Sequence, residues 1–416
     1  ALRSSVVRPG AAMQGQARSA IGARNTARFG RSLTAIQIMF SMILLVFGGL
    51  FAQSLANLGQ ADLGMNVDSV VTFTVSPRRN GYSNPQATQL FDALERNLAA
   101  QPGVTSVGSS MVPLLSFANW DDTVTIAGRE ASPGADSSSA LNRVSSEFFR
   151  TLSIPMRAGR AFTDADAAGA PHVAIVNEAF VRKFRLQDGA VGERVALEKN
   201  ALENVEIVGV AADAKYSTVR ADVPPQIFLP RRQNDDFGAL TFYLRGALAR
   251  DELMSAARRV MAAADPNLPV TDLLTMDKVI DDNLFTERLV AILSGGLAAL
   301  ATLLAATGLY GVLAYNVAQR TRELGLRLAL GATASELRVM VMKQVAKIAL
   351  IGMPIGLAVG IALGSAVKPL LFGLTEHAPL VLGLAVGTLA AVVLAAGYLP
   401  ARRASSVAPM EALRYE

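Results

Sequence analysis

The protein has 416 residues, 51% hydrophobic and 18% charged, with a formal net charge of +5 and no cysteine. A mean hydropathy of +0.34 is too high for an ordinary soluble protein, and the charge is too plentiful for a bare membrane bundle, so a few spans plus one polar domain fit best. Disulfide and thiolate chemistry are excluded, and two histidines without clustered ligands leave no donor set for a structural zinc site.

The sequence opens at Ala1 without a signal-peptide pattern. Residues 1–31 carry Arg3, Arg8, Arg18, Arg24, Arg28 and Arg31 and no acid, the flank expected on the cytoplasmic side of a span rather than a nucleic-acid-binding arm. A first transmembrane helix is expected over 32–61, which lacks any charged residue and exceeds the roughly 20 helical residues that cross a bilayer core. Three more uncharged runs, Leu289–Gln319, Ile348–Val367 and Ala378–Ala401, bring the expectation to four transmembrane helices. None of the four runs contains an Asp, Glu, Lys or Arg, whereas ion-coupled carriers and channels retain such charges because they use them.

Between the first and second spans lies a long excursion, 62–287, acidic by about seven charges, while the remainder is basic by about twelve. With four spans, the basic arm, the loop around Arg322 and the tail with Arg402, Arg403 and Arg414 share one side. The positive-inside rule makes that side cytoplasmic and the large domain extracytoplasmic. Within this domain, Val70–Val75 alternates as a strand, Gln86–Ala100 has helical spacing, and Val104–Val107 is a strand after the Pro102-Gly103 turn. Near its end, Leu240–Leu244 is a strand, Arg250–Ala263 a helix and Val270–Leu274 a short strand. The two β-α-β units, about 62–112 and 238–287, predict a split lobe with an inserted lobe at about 113–237. The insert holds strands at Val173–Val176 and Val205–Val210, a helix at Glu178–Phe184, and hinges rich in Ser, Gly and Pro at Ser132–Ser139 and Pro224-Pro225.

The loop 319–344, between the second and third spans, is the most informative stretch. Leu324 and Leu328 repeat at i, i+4, as do Leu326 and Leu330, so a short amphipathic helix is predicted, with Glu323 four residues before Arg327 as a helical ion pair. Gly331 suits the left-handed stop of that helix, and Thr333 with Glu336 forms a capping box that starts the next. The third span carries Gly352, Gly356, Gly360 and Gly364 on one stripe, and the fourth carries Gly383 and Gly387. Such small-residue stripes serve helix packing within the chain or at a subunit interface.

The run Arg320-Thr321-Arg322-Glu323-Leu324-Gly325-Leu326-Arg327-Leu328-Ala329-Leu330-Gly331-Ala332 resembles the signature of FtsX-like permease domains, found in macrolide-exporter-type (MacB) and lipoprotein-releasing ABC permeases. The family reads E-R-T-R-E-I-G-I-R-x-A-L-G-A; here Gln319 replaces the first Glu and leucine replaces both isoleucines. The tail Pro400-Ala401-Arg402-Arg403-Ala404, with Pro409 and Ala412-Leu413-Arg414, resembles the family ending P-A-x-R-A-x-x-x-x-P-x-x-A-L-R. The excursion is similar in layout to the MacB-like periplasmic core domain, and 288–416 to the FtsX-like permease domain with its three helices and cytoplasmic tail. Ala1-Leu2-Arg3 echoes Ala412-Leu413-Arg414, as expected if another such unit ended just upstream, an arrangement similar to the duplicated orphan permeases of acidobacteria.

The resemblance implies an α-helical membrane protein of the bacterial inner membrane, with four transmembrane helices plus an extracytoplasmic α+β domain. It implies a coupling helix that touches a cytoplasmic ABC ATPase subunit, placing Arg322, Glu323, Gly325, Arg327, Gly331 and Ala332 at the ATPase contact, and a second permease copy as homodimer or fused half. ATP-driven motion would then pass to the outer domain by mechanotransmission, without nucleic acid or a cofactor. No G-x-x-x-x-G-K-[ST], G-x-S-x-G or H-E-x-x-H occurs, so ATP hydrolysis is expected in a separate subunit. The acid pairs Asp121-Asp122 and Asp281-Asp282 read as solvated loop, His172 and His377 as surface residues, and Trp120 as packing in or decorating the inserted lobe. The alternative is a membrane scaffold or signalling subunit that keeps the permease fold without pumping.

The topology is open to test, because the chain has no cysteine of its own. Cysteines introduced at Ser138 and Ser335 should be labelled by an impermeant thiol reagent from opposite sides of the membrane, Ser138 from outside. Labelling of both from one side would overturn the four-span arrangement.

Overall fold

A computed structural model of the protein describes residues 9–129, 136–187, 189–234, 236, 238–268, 270–374 and 378–405, with side chains from Phe29 onward except Arg322 and Ala404. The paired Ala-Leu-Arg echo, part of the Ser132–Ser139 hinge, His377 and the tail motif beyond Ser405 lie outside the described residues. The chain divides into two units, Ala1–Gly59 with Thr286–Glu416, and Gln60–Phe285.

The first unit is helical: α1 (Pro9–Gly59), then, after the whole second unit, α7 (Phe285–Gln319), α8 (Thr321–Ala329), α9 (Ala334–Ala366) and α10 (Pro379–Ser405). Four stretches, Phe29–Gly59, Phe285–Gln319, Ala334–Ala366 and Pro379–Arg403, are long and apolar enough to cross a membrane. Helices satisfy every backbone hydrogen bond internally, which lipid demands of a spanning segment. α9 begins at Ala334, where the Thr333 capping box places its start, and so extends well N-terminal of the charge-free run at Ile348. Ile38, Met42 and Val46 of α1, Leu309 and Leu313 of α7, Leu337 and Val345 of α9, and Leu389 and Val393 of α10 form one buried cluster.

The second unit contains, in chain order, β1 (Val70–Val75), α2 (Asn84–Ala99), β2 (Val104–Ser110), β3 (Asp121–Ile126), β4 (Ser138–Val144), α3 (Phe148–Thr151), β5 (Met156–Gly159), β6 (Val173–Asn177), α4 (Glu178–Lys183), β7 (Arg194–Leu197), β8 (Leu202–Ala211), β9 (Gln226–Pro230), β10 (Leu240–Gly246), α5 (Arg250–Ala264), β11 (Thr271–Thr275) and α6 (Met276–Asn283). Its strands form one 11-stranded sheet ordered β11-β1-β10-β2-β4-β3-β7-β8-β6-β9, with β5 on β8 and β4 also parallel to β9. β10 runs antiparallel to both β1 and β2, so those two strands are parallel with β10 between them and α2 as their crossover. α2 and α5 bury Phe91, Leu94, Leu98 and Val260 against Phe73, Val107, Phe242 and Leu244. A second cluster gathers Phe180, Val195, Ile207, Ile227 and Leu229 from the middle strands and α4. Between β2 and β4 the ladder narrows to Ser110 opposite Val144.

Arg231, in the turn after β9, is 1% exposed and reaches Asp92 at 2.6 Å and also Glu95, both on α2. Burial alone would lower its pKa, but the charge and hydrogen bonds of Glu95, then of Asp92, outweigh that and hold the guanidinium above its ordinary value. This ion pair ties the strands of the second cluster to a helix of the first.

Asp122 corrects a sequence expectation. Rather than lying in solvated loop, it is fully buried on β3 and accepts hydrogen bonds from the backbone N–H groups of Lys199 and Asn200 and from Asn200 Nδ2. Its neighbour Asp121 points the other way and pairs with Lys199, as alternation along a strand requires. Asp281 and Asp282 lie on α6, where Asp282 pairs with Lys278 one turn back.

Arg231→Ala should destabilise the α/β unit by about 3 kcal/mol, because it leaves two acids facing each other without their cation. Thermal unfolding of the purified chain reads this directly. An unchanged midpoint would show that the buried pair contributes nothing.

Candidate functional site

α8 and α9 are joined by a turn that is hydrogen-bonded on both sides, at the end of the first helix and at the start of the second. Gly331 adopts φ +95°, and the N–H groups of Gly331 and Ala332 donate to the carbonyls of Leu328 (3.1 Å) and Arg327 (2.9 Å). This is the double bond pattern of a Schellman stop, and it satisfies carbonyls that α8 would otherwise leave open. Thr333 then starts α9: Glu336 N–H donates to Thr333 Oγ1, and Thr333 N–H donates to Glu336 Oε2 at 2.9 Å. At the other end of α8, Thr321 Oγ1 donates to Ala318 O at 2.9 Å and closes the end of α7.

The two leucine pairs part company here. Leu324 is buried in the helical core and Leu328 packs against it, whereas Leu326 and Leu330 are 52% and 79% exposed. One face of α8 is therefore held by the bundle while a second apolar face is left uncovered by the described residues of this unit. Gly325 sits on the held side. Arg327 binds Glu323 Oε1 at 2.7 Å and reaches across the turn to Met340 Sδ at 3.3 Å. Both members of the ion pair are about half exposed, so it adds only a few tenths of a kcal/mol, and its effect is to fix the Arg327 side chain. Arg322 lies on α8, its side chain outside the described set.

The glycines of α9 form a seam with α1. A Cβ on Gly352 would stand 2.7 Å from Ala35 O, and one on Gly356 would stand 2.6 Å from Met39 O, closer than real side chains approach. Gly360 and Gly364 face Val46 and Leu50 at ordinary contact distance. The contacts climb α1 and α9 together, so the two helices run parallel. Gly383 and Gly387 of α10 depart from the expectation of packing within the chain: among the described residues, a Cβ at either meets nothing within 4 Å. The same spacing thus serves close approach within the chain on one helix and not on the other.

A cationic group that sequence spacing did not single out lies beside the seam. Arg31 of α1 donates to the side-chain oxygen of Gln344 on α9, at 2.9 Å from Nη2, and Lys343 and Lys347 border the same groove. Arg31 stands far from the two lysines in the chain, so no local pattern joins them.

Comparison with known proteins follows this geometry. Residues 32–271 match the MacB-like periplasmic core domain and residues 295–409 the FtsX-like permease C-terminal domain. An uncharacterized ABC transporter permease, YknZ, of Bacillus subtilis is 23% identical over 290 residues, covering 68% of this chain and 71% of that protein. The macrolide export ATP-binding/permease protein MacB of Wolinella succinogenes is 26% identical over 292 residues, covering 68% of this chain and 44% of that protein. The match therefore spans less than half the length of the MacB relative. The periplasmic region of MacB from Actinobacillus actinomycetemcomitans aligns over 53% of this chain and 95% of that structure, at 12% identity and a TM-score of 0.37.

The seam predicts opposite responses to one substitution. Gly356→Ala should cost about 1–3 kcal/mol, because the methyl group meets the Met39 backbone, which cannot rotate away. Gly387→Ala should be neutral or stabilising by up to about 1 kcal/mol, since alanine favours the helix and the space is open. Thermal inactivation in detergent distinguishes the two, and equal behaviour would remove the seam from the packing of this unit.

Proposed function

The chain belongs to the MacB/FtsX-like ABC transporter permease family, and from that premise we propose that it transmits the motion of a separate cytoplasmic ATPase across the inner membrane to its extracytoplasmic domain. In this reading α8 is the coupling helix, Leu326 and Leu330 dock on the ATPase, and Glu323, Arg327 and Arg322 frame the contact. The observation that carries it is the hydrogen-bonded turn that joins α8 to α9. The Schellman stop closes the end of α8, the capping box opens α9, and Arg327 reaches across the turn to Met340. Displacement of α8 is passed to α9, and the close backbone contacts at Gly352 and Gly356 pass it on to α1. α1 leads directly into the α/β unit, so a tilt of α1 is a pull on that domain.

The two hydrophobic clusters of the α/β unit correspond, in this proposal, to the paired β-α-β lobe and the inserted lobe. A second permease copy, as homodimer or fused half, completes the assembly. YknZ is named as a permease and the MacB relative as an ATP-binding/permease protein; the export role is carried over from the latter as part of the proposal.

The test separates coupling from folding. Glu323→Arg removes the pair with Arg327 and puts like charges together at an exposed site, a change of about 0.5 kcal/mol in stability. Stimulation of the reconstituted ATPase should fall about tenfold, the loss of roughly 1.4 kcal/mol at the contact, with insertion and thermal midpoint preserved. Gly331→Val should lower it further, since a β-branched residue fits φ +95° poorly. Normal stimulation by both variants would overturn coupling through α8. Failure of the unmodified chain to bind any ATPase would favour a scaffold that retains the permease fold.

A further inference from the structure

Two adjoining grooves run beside the seam between α1 and α9, of about 610 and 480 Å³, and both are bordered by Arg31, Gln344 and Lys347. The first is polar and adds Lys343 and the start of α9. The second turns apolar one turn beyond the cations and runs along Ile36 and Met39 of α1 and Ile351 and Ile355 of α9. From Arg31 to Met39, and from Lys347 to Ile355, the groove is about 12 Å long at the helical rise. Both walls belong to helices apolar enough to span a membrane, so the slot opens towards lipid.

Charge is the second observation. Among the described residues no acid pairs with Arg31, Lys343 or Lys347: Arg31 is held by the neutral Gln344. Glu336, the acid bordering the polar groove, is occupied by the Thr333 cap. Three cations at the mouth of an apolar slot, in that order along two parallel helices, match the order of phosphate and acyl chain in a phospholipid.

We propose that this groove holds an anionic phospholipid of the cytoplasmic leaflet, its phosphate against Arg31, Lys343 and Lys347 and one acyl chain along Ile36, Met39, Ile351 and Ile355. The bound lipid screens the three cations from one another and fills the slot beside the seam. The proposal rests on the membrane orientation given above and is independent of the ATPase.

Native mass spectrometry of the full chain in detergent tests it without a partner protein. The delipidated protein is titrated with phosphatidylglycerol and with phosphatidylcholine of the same chains. Phosphatidylglycerol should bind more tightly, and Lys343→Gln with Lys347→Gln should weaken it about 25-fold, or about fivefold for each cation at ~1 kcal/mol. Both lysines are exposed, so the variants should keep the parent thermal midpoint. Glycerol 3-phosphate, which carries the anion without chains, should leave the lipid in place. Equal affinity for the two lipids, no loss in the double variant, or displacement by glycerol 3-phosphate would each overturn the proposal. The cysteine-labelling experiment reports the orientation separately, so a failure of topology and a failure of lipid binding are distinguishable.

Discussion

The helical unit depends on one close approach, that of the α9 glycines to the α1 backbone. Within lipid there is little hydrophobic drive for helices to associate, because the surrounding chains are as apolar as the side chains. What remains is packing at short range, and it requires small residues where backbones meet. At Gly352 and Gly356 the carbonyls of Ala35 and Met39 occupy the space a side chain would take. These two helices are separated in the chain by the entire α/β unit and by α7 and α8, so the seam is a long-range contact.

The α/β unit solves a different problem. Its single sheet carries two separate apolar clusters, one against β1, β2 and β10 and one among the strands from β3 to β9, which close on themselves through β4 and β9, with a narrow ladder at Ser110–Val144 between the two parts. Arg231 spans the two. Most of the ion pairs around it are exposed and weak, but Arg231 is enclosed, and an enclosed cation without its acids would be costly. The interaction is therefore a constraint on geometry as much as a source of stability: α2 has to lie where Arg231 can reach it.

At α8 the proposed role follows from an asymmetry. A short helix held by Leu324 and Leu328 on one face, with Leu326 and Leu330 free on the other, can receive a partner while remaining attached to α9. The stop and start between the two helices are both hydrogen-bonded, through Gly331 and Ala332 on one side and Thr333 and Glu336 on the other, which limits the freedom of the turn to absorb displacement.

Features with local causes were legible in the sequence by itself. The four apolar stretches follow from the thickness of a bilayer, and the turn after α8 from Gly331, Thr333 and Glu336, whose partners all lie within a few residues. The flanking strands β1 and β10 and the helices α2 and α5 show their periods openly. The strands β5 and β7 were not visible because they are only four residues long, β4 and β9 because they are buried on nearly every residue and so do not alternate, and β3 because its opening acid pair reads as loop. Spacing assigns residues to a common face, but only the neighbouring element decides whether that face is covered. Leu324 with Leu328 and Leu326 with Leu330 have one spacing and opposite environments, as do the glycines of α9 and α10. Asp122 and Asp121 divide in the same way, one buried beneath the Lys199-Asn200 turn that it caps and the other in solvent. Arg31, Lys343 and Lys347 meet only because the glycine seam brings α1 and α9 together, a long-range contact that no local pattern encodes.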